Sequence, residues 1–347
     1  MTVNSQPMRT IGTTSLQVSK LGFGAATLGN LYHEIDDNSA RTAIEQACQV
    51  GINHFDTAPF YGFGLSERRV GDALREVDTQ SYVLSTKVGR LLNPCERASD
   101  KFGFCSPMPF DPVYDYSYDG IMRSFEHSLQ RLGLSMIDII YMHDIGQVTH
   151  GSQHPELFKI AMESGYKAMD ELRSQGLVSA IGLGVNEYEV CEQAMDHGRF
   201  DCFLLAGRYS LLEQDALQSF LPRCEKEQAS IILGGPYNSG ILATGVNRTD
   251  VTPHYNYAPA APAIIERVSR IEKICDEFNV PLAAAALQFP LGHPSVVSVI
   301  PGLSSAKRVV TTQDYMNTPI PDQLWRALQE QELLHPDAPL PVSAEVE

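Results

Sequence analysis

No run of the 347 residues approaches the ~18 consecutive apolar positions that a membrane span requires. Paired cysteines are also missing. The seven present are scattered, odd in number and form no C-x-x-C, which points to reduced thiols in a cytosolic protein. The opening segment, Met1 to Thr14, lacks the charged-then-apolar pattern of a secretory signal. Basic residues are scarce, with 26 Lys and Arg against 42 Asp and Glu, giving a formal net charge of -16. That balance argues against a broad nucleic-acid or anionic-membrane surface, so an anionic ligand has to be held by local donors. Low-complexity tracts and short-period repeats are absent too. Apolar material is plentiful: 43% of residues are hydrophobic and 20% charged, which excludes a mainly disordered chain. The expectation is a soluble cytoplasmic protein with one large fold or two ordinary domains.

The remaining pattern is organised around His54-Phe55-Asp56-Thr57-Ala58-Pro59-Phe60-Tyr61-Gly62. Gly51 to Phe55 is a short apolar run and reads as a buried strand, with Asp56 at its C-terminal end and Tyr61 on the loop beyond. Pro59 cannot donate to a strand ladder and ends the pairing. Before it, Ser19–Gly24 reads as a first strand. Gly22-x-Gly24 is no dinucleotide fingerprint, because Thr27 stands where the third glycine belongs; Gly24 is instead expected to let the backbone approach a ligand. Helices are expected over 38–50, 66–75 (capped by Ser66), 118–132, 158–175, 187–197, 214–227, 260–278, 282–289, 304–315 and 323–334. Strands are expected over 52–55, 82–87, 136–143, 180–185, 202–205, 230–233 and 296–300, with loop insertions at 88–117 and 144–155 and a long loop at 234–259. Eight short apolar strands separated by helices imply parallel pairing with right-handed crossovers. With no linker-like shift in composition, this favours a single α/β domain over 1–347. That domain would be a (β/α)8 TIM barrel, core about 19–316, with long βα-loop insertions at its C-terminal face and a helix and tail over 317–347. An open doubly wound sheet is the alternative.

In a parallel barrel the strand ends converge on one mouth, where chemistry sits. Asp56 and Tyr61 end the second strand, Lys87 the third, His143 the fourth and Asn186 follows the fifth. Singly, each reads as a solvated charge, a capped histidine or a turn residue. Together they form a proton-transfer set. A tyrosine has an ordinary pKa near 10, too high for a base at neutral pH, and a neighbouring lysine cation favours its phenolate. Asp56 would hold Lys87 charged, and His143 would bond the substrate oxygen.

These residues resemble the catalytic tetrad of the aldo-keto reductases. The motifs are Asp56-Thr57-Ala58-x-x-Tyr61-Gly62, Ser85-Thr86-Lys87 and His143, and the likeness runs from Leu21 to Gly302. His143-Asp144, Gly207–Leu212 and Gly234–Gly240 are similar to the aldose dehydrogenase branch. The resemblance implies a nicotinamide cofactor, with Gly24 and Ala25 beside the nicotinamide and Asn186 on its carboxamide. Ser239, Gly240 and Leu242 would line the pyrophosphate, and Gly302, Arg308 and Thr312 the adenosine end. It departs from the family pattern at Ala206, where many members have Gln, and at Gly234-Gly235, where many stack an aromatic. Gly302 and Leu303 replace the Lys and hydroxyl residue that meet the 2′-phosphate in NADP-preferring members, so NAD is expected, with NADP possible through Lys307 or Arg308.

The implied reaction is oxidation of the anomeric hydroxyl of a cyclic aldose (L-fucose, L-galactose or D-arabinose type) to its lactone, with Tyr61 as acid/base. The alternatives are oxidation of pyridoxal to its lactone, NADPH-dependent aldehyde reduction, or a non-catalytic nucleotide-sensing barrel. Substrate contacts are expected from Tyr61, His143, Phe110 and Tyr114, the last two on the aromatic insertion. A small molecule is the only partner expected, and oligomeric state is not readable. No metal site is expected: His150 and His154 lack a third ligand. Asn247-Arg248-Thr249 fits a glycosylation sequon without a secretion signal to give it meaning.

Overall fold

The computed structural model describes residues 7–96, 100–248 and 252–341. Thr249, and with it the sequon, lies outside the described residues. Eight parallel strands pair in chain order: β1 (Phe23–Gly24), β2 (His54–Asp56), β3 (Val83–Val88), β4 (Ile139–His143), β5 (Ala180–Val185), β6 (Cys202–Ala206), β7 (Ser230–Gly234) and β8 (Val296–Ile300). Parallel bridges Leu21–Val299 and Gly24–Gly302 bring the first strand against the last, so the sheet closes into a barrel with helices outside. Among the described residues no helix is long and apolar enough to cross a membrane.

Alternation along each strand decides what faces inward, because successive side chains point to opposite faces. Leu84, Val88, Ile140, Met142, Ile181, Leu183, Phe203 and Leu205 pack outward against the helices. Val83, Ile139, Tyr141, Ala180, Cys202, Leu204 and Ile232 fill the interior. Counting by twos from Val83 brings Lys87 inside, and from Ile139 brings His143 inside. Asp56, level with Ser85, is inside by the same rule. The outward Thr86 donates to the fully buried Glu67, which pairs with Arg131 on the helix Tyr118–Leu132 and ties β3 to the helical layer.

Most expected elements recur within one or two residues of their bounds; the differences have local causes. Ser19–Gly24 is strand only at Phe23–Gly24. The residues before it form a hairpin, Met8–Thr10 with Gln17–Ser19, that lays Ile11 and Val18 across the N-terminal ends of the strands. Gly64, not Ser66, caps the helix Leu65–Leu74; the Ser66 hydroxyl donates instead to the Ala25 carbonyl. The helix expected over 158–175 contains a π turn, Ala161–Gly165, where a side chain at Gly165 would meet the Tyr116 carbonyl at 2.4 Å. The first insertion is no plain loop: Arg90–Pro94 pairs antiparallel with Phe110–Tyr114. All seven cysteines are free.

Candidate active site

Asp56, Lys87, Tyr61 and His143 meet at the C-terminal mouth of the barrel. Lys87 Nζ donates to Asp56 Oδ2 at 2.7 Å and to the Thr57 carbonyl at 2.9 Å, with both side chains almost fully buried. Ser85 Oγ donates to Asp56 Oδ1 at 2.7 Å, so each carboxylate oxygen has a donor. The Lys87 ammonium lies 4.7 Å from the centre of the Tyr61 ring, and the His143 ring stands edge-on to Tyr61 at 6.1 Å. Tyr61 is held by backbone: the turn at Gly62 (φ 63) packs on Gly29, and a side chain at 62 would meet the Gly29 carbonyl at 2.4 Å. The Lys87 stem crosses β5 at Gly184, where a side chain would come within 3.3 Å of Lys87 Cε.

Burial and charge compete in this cluster. Burial works against the Lys87 charge, but Asp56 and then Tyr61 outweigh it, and the ammonium is held above its ordinary range. Burial likewise pushes the Asp56 carboxyl up, opposed by Lys87 and Ser85. For Tyr61 burial is again the largest effect and raises the phenol above its ordinary 10.0; Lys87 pulls it back and Asp56 adds to the rise. The expected lowering by Lys87 is therefore real in sign but smaller than the cost of desolvating a phenolate. His143 is held far below its ordinary range, first by burial and then by Arg90 and Lys87, and is neutral.

The tetrad opens onto a cavity of about 470 Å³. Its walls carry Tyr32, Phe60, Phe102, Phe104 and Tyr257, and its polar groups include Asp144 and Asn186 besides Tyr61, Lys87 and His143. The insertion does supply aromatics, but not the two expected. Phe110 is not among the lining residues, and Tyr114 stacks one layer behind, 4.8 Å from the Arg90 guanidinium. Paired antiparallel with 90–94, the strand 110–114 forms the outer wall, and the turn between them supplies Phe102 and Phe104. Arg90, Tyr32 and Tyr257 had no motif to mark them, whereas Phe60 stands in the Asp56–Gly62 stretch.

Of the residues expected to hold a cofactor, Asn186 is the one that lines this cavity. Its Nδ2 lies 3.3 Å from Asp144 Oδ1 and its Oδ1 3.3 Å from the Tyr257 hydroxyl. Gly24 serves barrel closure: a side chain there would meet the Ile300 and Pro301 carbonyls at 2.8 and 2.9 Å. Ala25 is buried behind it, and Ala26 is the residue that lines the cavity. Gly240 and Leu242 donate their N–H groups to the Tyr237 carbonyl, and Ser239 Oγ accepts from Tyr257 N–H. Gly240 (φ 98) leaves open space where a side chain would stand, which suits approach by a phosphate. Leu303 is fully buried, Thr312 nearly so, and Arg308 is exposed on the first turn of the helix Ala306–Asn317. His150 and His154 are taken up by the Tyr116 hydroxyl and the Ile145 carbonyl, and no metal-binding cluster occurs among the described residues.

Known proteins resemble this chain in sequence and in fold. The chain is 40% identical over 346 residues to a pyridoxal 4-dehydrogenase from Microbacterium luteolum, covering 96% of this chain and 100% of that one. It is 36% identical over 324 residues to a D-threo-aldose 1-dehydrogenase from a Pseudomonas species, covering 92% and 95%. Among solved structures, the holo form of an aldo-keto reductase from Bacillus halodurans superposes with a TM-score of 0.73 at 24% identity, over 98% of this chain and 99% of that one. The sequence model of the aldo/keto reductase family matches residues 20–332, nearly the whole barrel with all four residues of the tetrad, and the chain belongs to that family of oxidoreductases.

Proposed function

We propose that the protein oxidises the hydroxyl-bearing carbon of a cyclic hemiacetal to a lactone, with NAD as the hydride acceptor. Aldo-keto reductases use nicotinamide cofactors. In this chain Asn186, which lines the cavity, would hold the carboxamide, the open backbone at Gly240 would meet a phosphate, and the exposed Arg308 would meet the far end. When bound, the nicotinamide supplies hydride acceptance, chemistry that no side chain has. The chain's own residues do the rest. His143 donates to the substrate oxygen and fixes its position. The Tyr61 phenolate takes the hydroxyl proton as the C–H pair leaves as hydride, and the carbon becomes the lactone carbonyl. Lys87, held charged by Asp56, stabilises that phenolate.

The observation that carries this reading is the buried Asp56–Lys87 pair beside a half-buried Tyr61 and a buried His143, with Tyr61, Lys87 and His143 facing an aromatic-walled cavity. The walls also bear on the substrate. Tyr32, Phe60, Phe102, Phe104 and Tyr257 suit a flat aromatic hemiacetal such as pyridoxal, in line with the 40% relative. A cyclic aldose is the second reading, supported by Asp144 and Asn186 as partners for further hydroxyls and by the 36% relative. The NAD preference rests on Gly302 and on Leu303, whose buried side chain offers nothing to a 2′-phosphate. A single charge-assisted hydrogen bond contributes about 1.5–3 kcal/mol, enough to set a cofactor preference of tenfold or more.

The test is the rise of reduced-nicotinamide absorbance with NAD, then NADP, against pyridoxal, L-fucose, L-galactose and D-arabinose. Pyridoxal with NAD is expected to react fastest. Turnover of sugars alone would move the substrate and keep the mechanism, whereas turnover only with NADP would overturn the Gly302 argument. Tyr61→Phe should lower kcat by about 10²–10⁴ with NAD binding intact. Silence of the wild-type protein with every pair would overturn the proposal.

A further inference from the structure

Asp144 follows His143 directly and takes no part in the proton transfer above. Its left-handed backbone (φ 51) turns the side chain back into the mouth. There the carboxylate pairs with Arg90 Nη2, lies 3.3 Å from Asn186 Nδ2 and approaches His143 Nε2 at 3.4 Å. The last distance is long for a hydrogen bond, so the carboxylate favours a proton on Nε2 by its charge and leaves that N–H free for a substrate oxygen. The other ring nitrogen, His143 Nδ1, is buried with no partner.

A neutral imidazole carries one N–H, and neighbouring acceptors decide which nitrogen has it. For His143 the acceptor lies on the Nε2 side alone. With the proton on Nε2 the ring donates to a substrate oxygen in the cavity. With the proton on Nδ1 it would present a lone pair to that oxygen, and the N–H would be buried unpaired. Asp144 is in turn held from the first insertion. Arg90 is 3% exposed, clamped between the rings of Phe60 and Tyr114 at 4.0 and 4.8 Å. Tyr116, at the end of the same insertion, donates to the His143 carbonyl at 2.8 Å and lies 3.2 Å from that of Asp144.

We infer that Asp144 is a positioning residue that fixes the His143 proton on Nε2, and that Arg90 and Tyr116 make the first insertion the support on which this depends. The inference rests on the assignment of His143 to the substrate oxygen, but its principal readout does not need a substrate. Protein labelled with ¹⁵N-histidine gives the tautomer of each ring from its nitrogen shifts, and the spectrum of His143→Gln identifies the His143 signals. Wild type should show a protonated Nε2 and a bare Nδ1. Asp144→Asn keeps an oxygen for Arg90 and His143 without the charge, so it should hold that tautomer in part and keep more of kcat than Asp144→Leu. Asp144→Leu keeps the bulk without the acceptor. It should mix the tautomers and lower kcat about tenfold or more, with the Kd for NAD changed less than about twofold. A wild-type His143 protonated on Nδ1 would overturn the inference, as would an unchanged His143 spectrum in Asp144→Leu. Should Asp144→Leu fail to fold, the wild-type and Asp144→Asn spectra decide. A wrong substrate assignment would show as absent turnover with these signatures intact.

Discussion

Tyr61 can accept a proton only when ionised, and its environment sets how much base is available. Burial raises the phenol, and Lys87 is the counterweight. Because the raised value keeps Tyr61 neutral through the physiological range, oxidation should speed up as pH rises and level off only once the phenolate is fully formed. Lys87→Met removes the counterweight and leaves Asp56 facing the phenol, so the rising limb should move to higher pH and the rate at pH 7 should fall. A pH–rate profile checks this; a lower plateau with the limb unmoved would mean that Lys87 only shapes the site. The identity of all four residues was legible from their spacing at strand ends. The direction of the Tyr61 shift was not, because depth of burial is a property of the closed barrel. The same holds for Phe110 and Tyr114: the sequence marks an aromatic insertion, but only the folded insertion shows that Phe102 and Phe104 line the cavity.

At the level of elements, short apolar runs separated by helical stretches made the barrel strands legible; the structure adds that Asp36 and Ser117 cap two of the helices, accepting from the Ser39 and Gly120 N–H groups. What escaped was structure whose partner lies far away in the chain. The N-terminal hairpin has only three residues per strand and reads as a polar leader. Its value is tertiary: Ile11 is fully buried among Val83, Ile139, Ala180, Cys202 and Ile232. Ile11→Ala should cost about 2–5 kcal/mol by opening a cavity beneath the barrel. Urea unfolding should register that loss, while kcat of the folded protein should stay unchanged, since the catalytic mouth is at the opposite end. The π turn escaped for a similar reason: it answers to the Tyr116 backbone, not to any local propensity.

For the whole molecule, the net charge of -16 surrounds a mouth expected to receive a dinucleotide with two negative phosphates. Long-range repulsion slows such an encounter, and salt screens it with a Debye length of about 8 Å at 0.15 M. The expected outcome is that kcat/KM for NAD rises as ionic strength increases from a few mM to about 0.15 M. A fall over that range would mean that local cations such as Arg308 dominate capture. Composition alone gave the charge; it could not give the placement of Arg308 on an exposed first turn.

The hairpin that covers the barrel floor also bears on the order in which the protein comes into being. Arg9 donates to the Val296 and Leu291 carbonyls, and the latter partner is 282 residues downstream. During synthesis the plug therefore emerges first and has no complete floor to seal until the last strand leaves the ribosome. Nascent barrels wait with their lower ends open, and the interval before the final strand arrives is when a chaperone has most to protect.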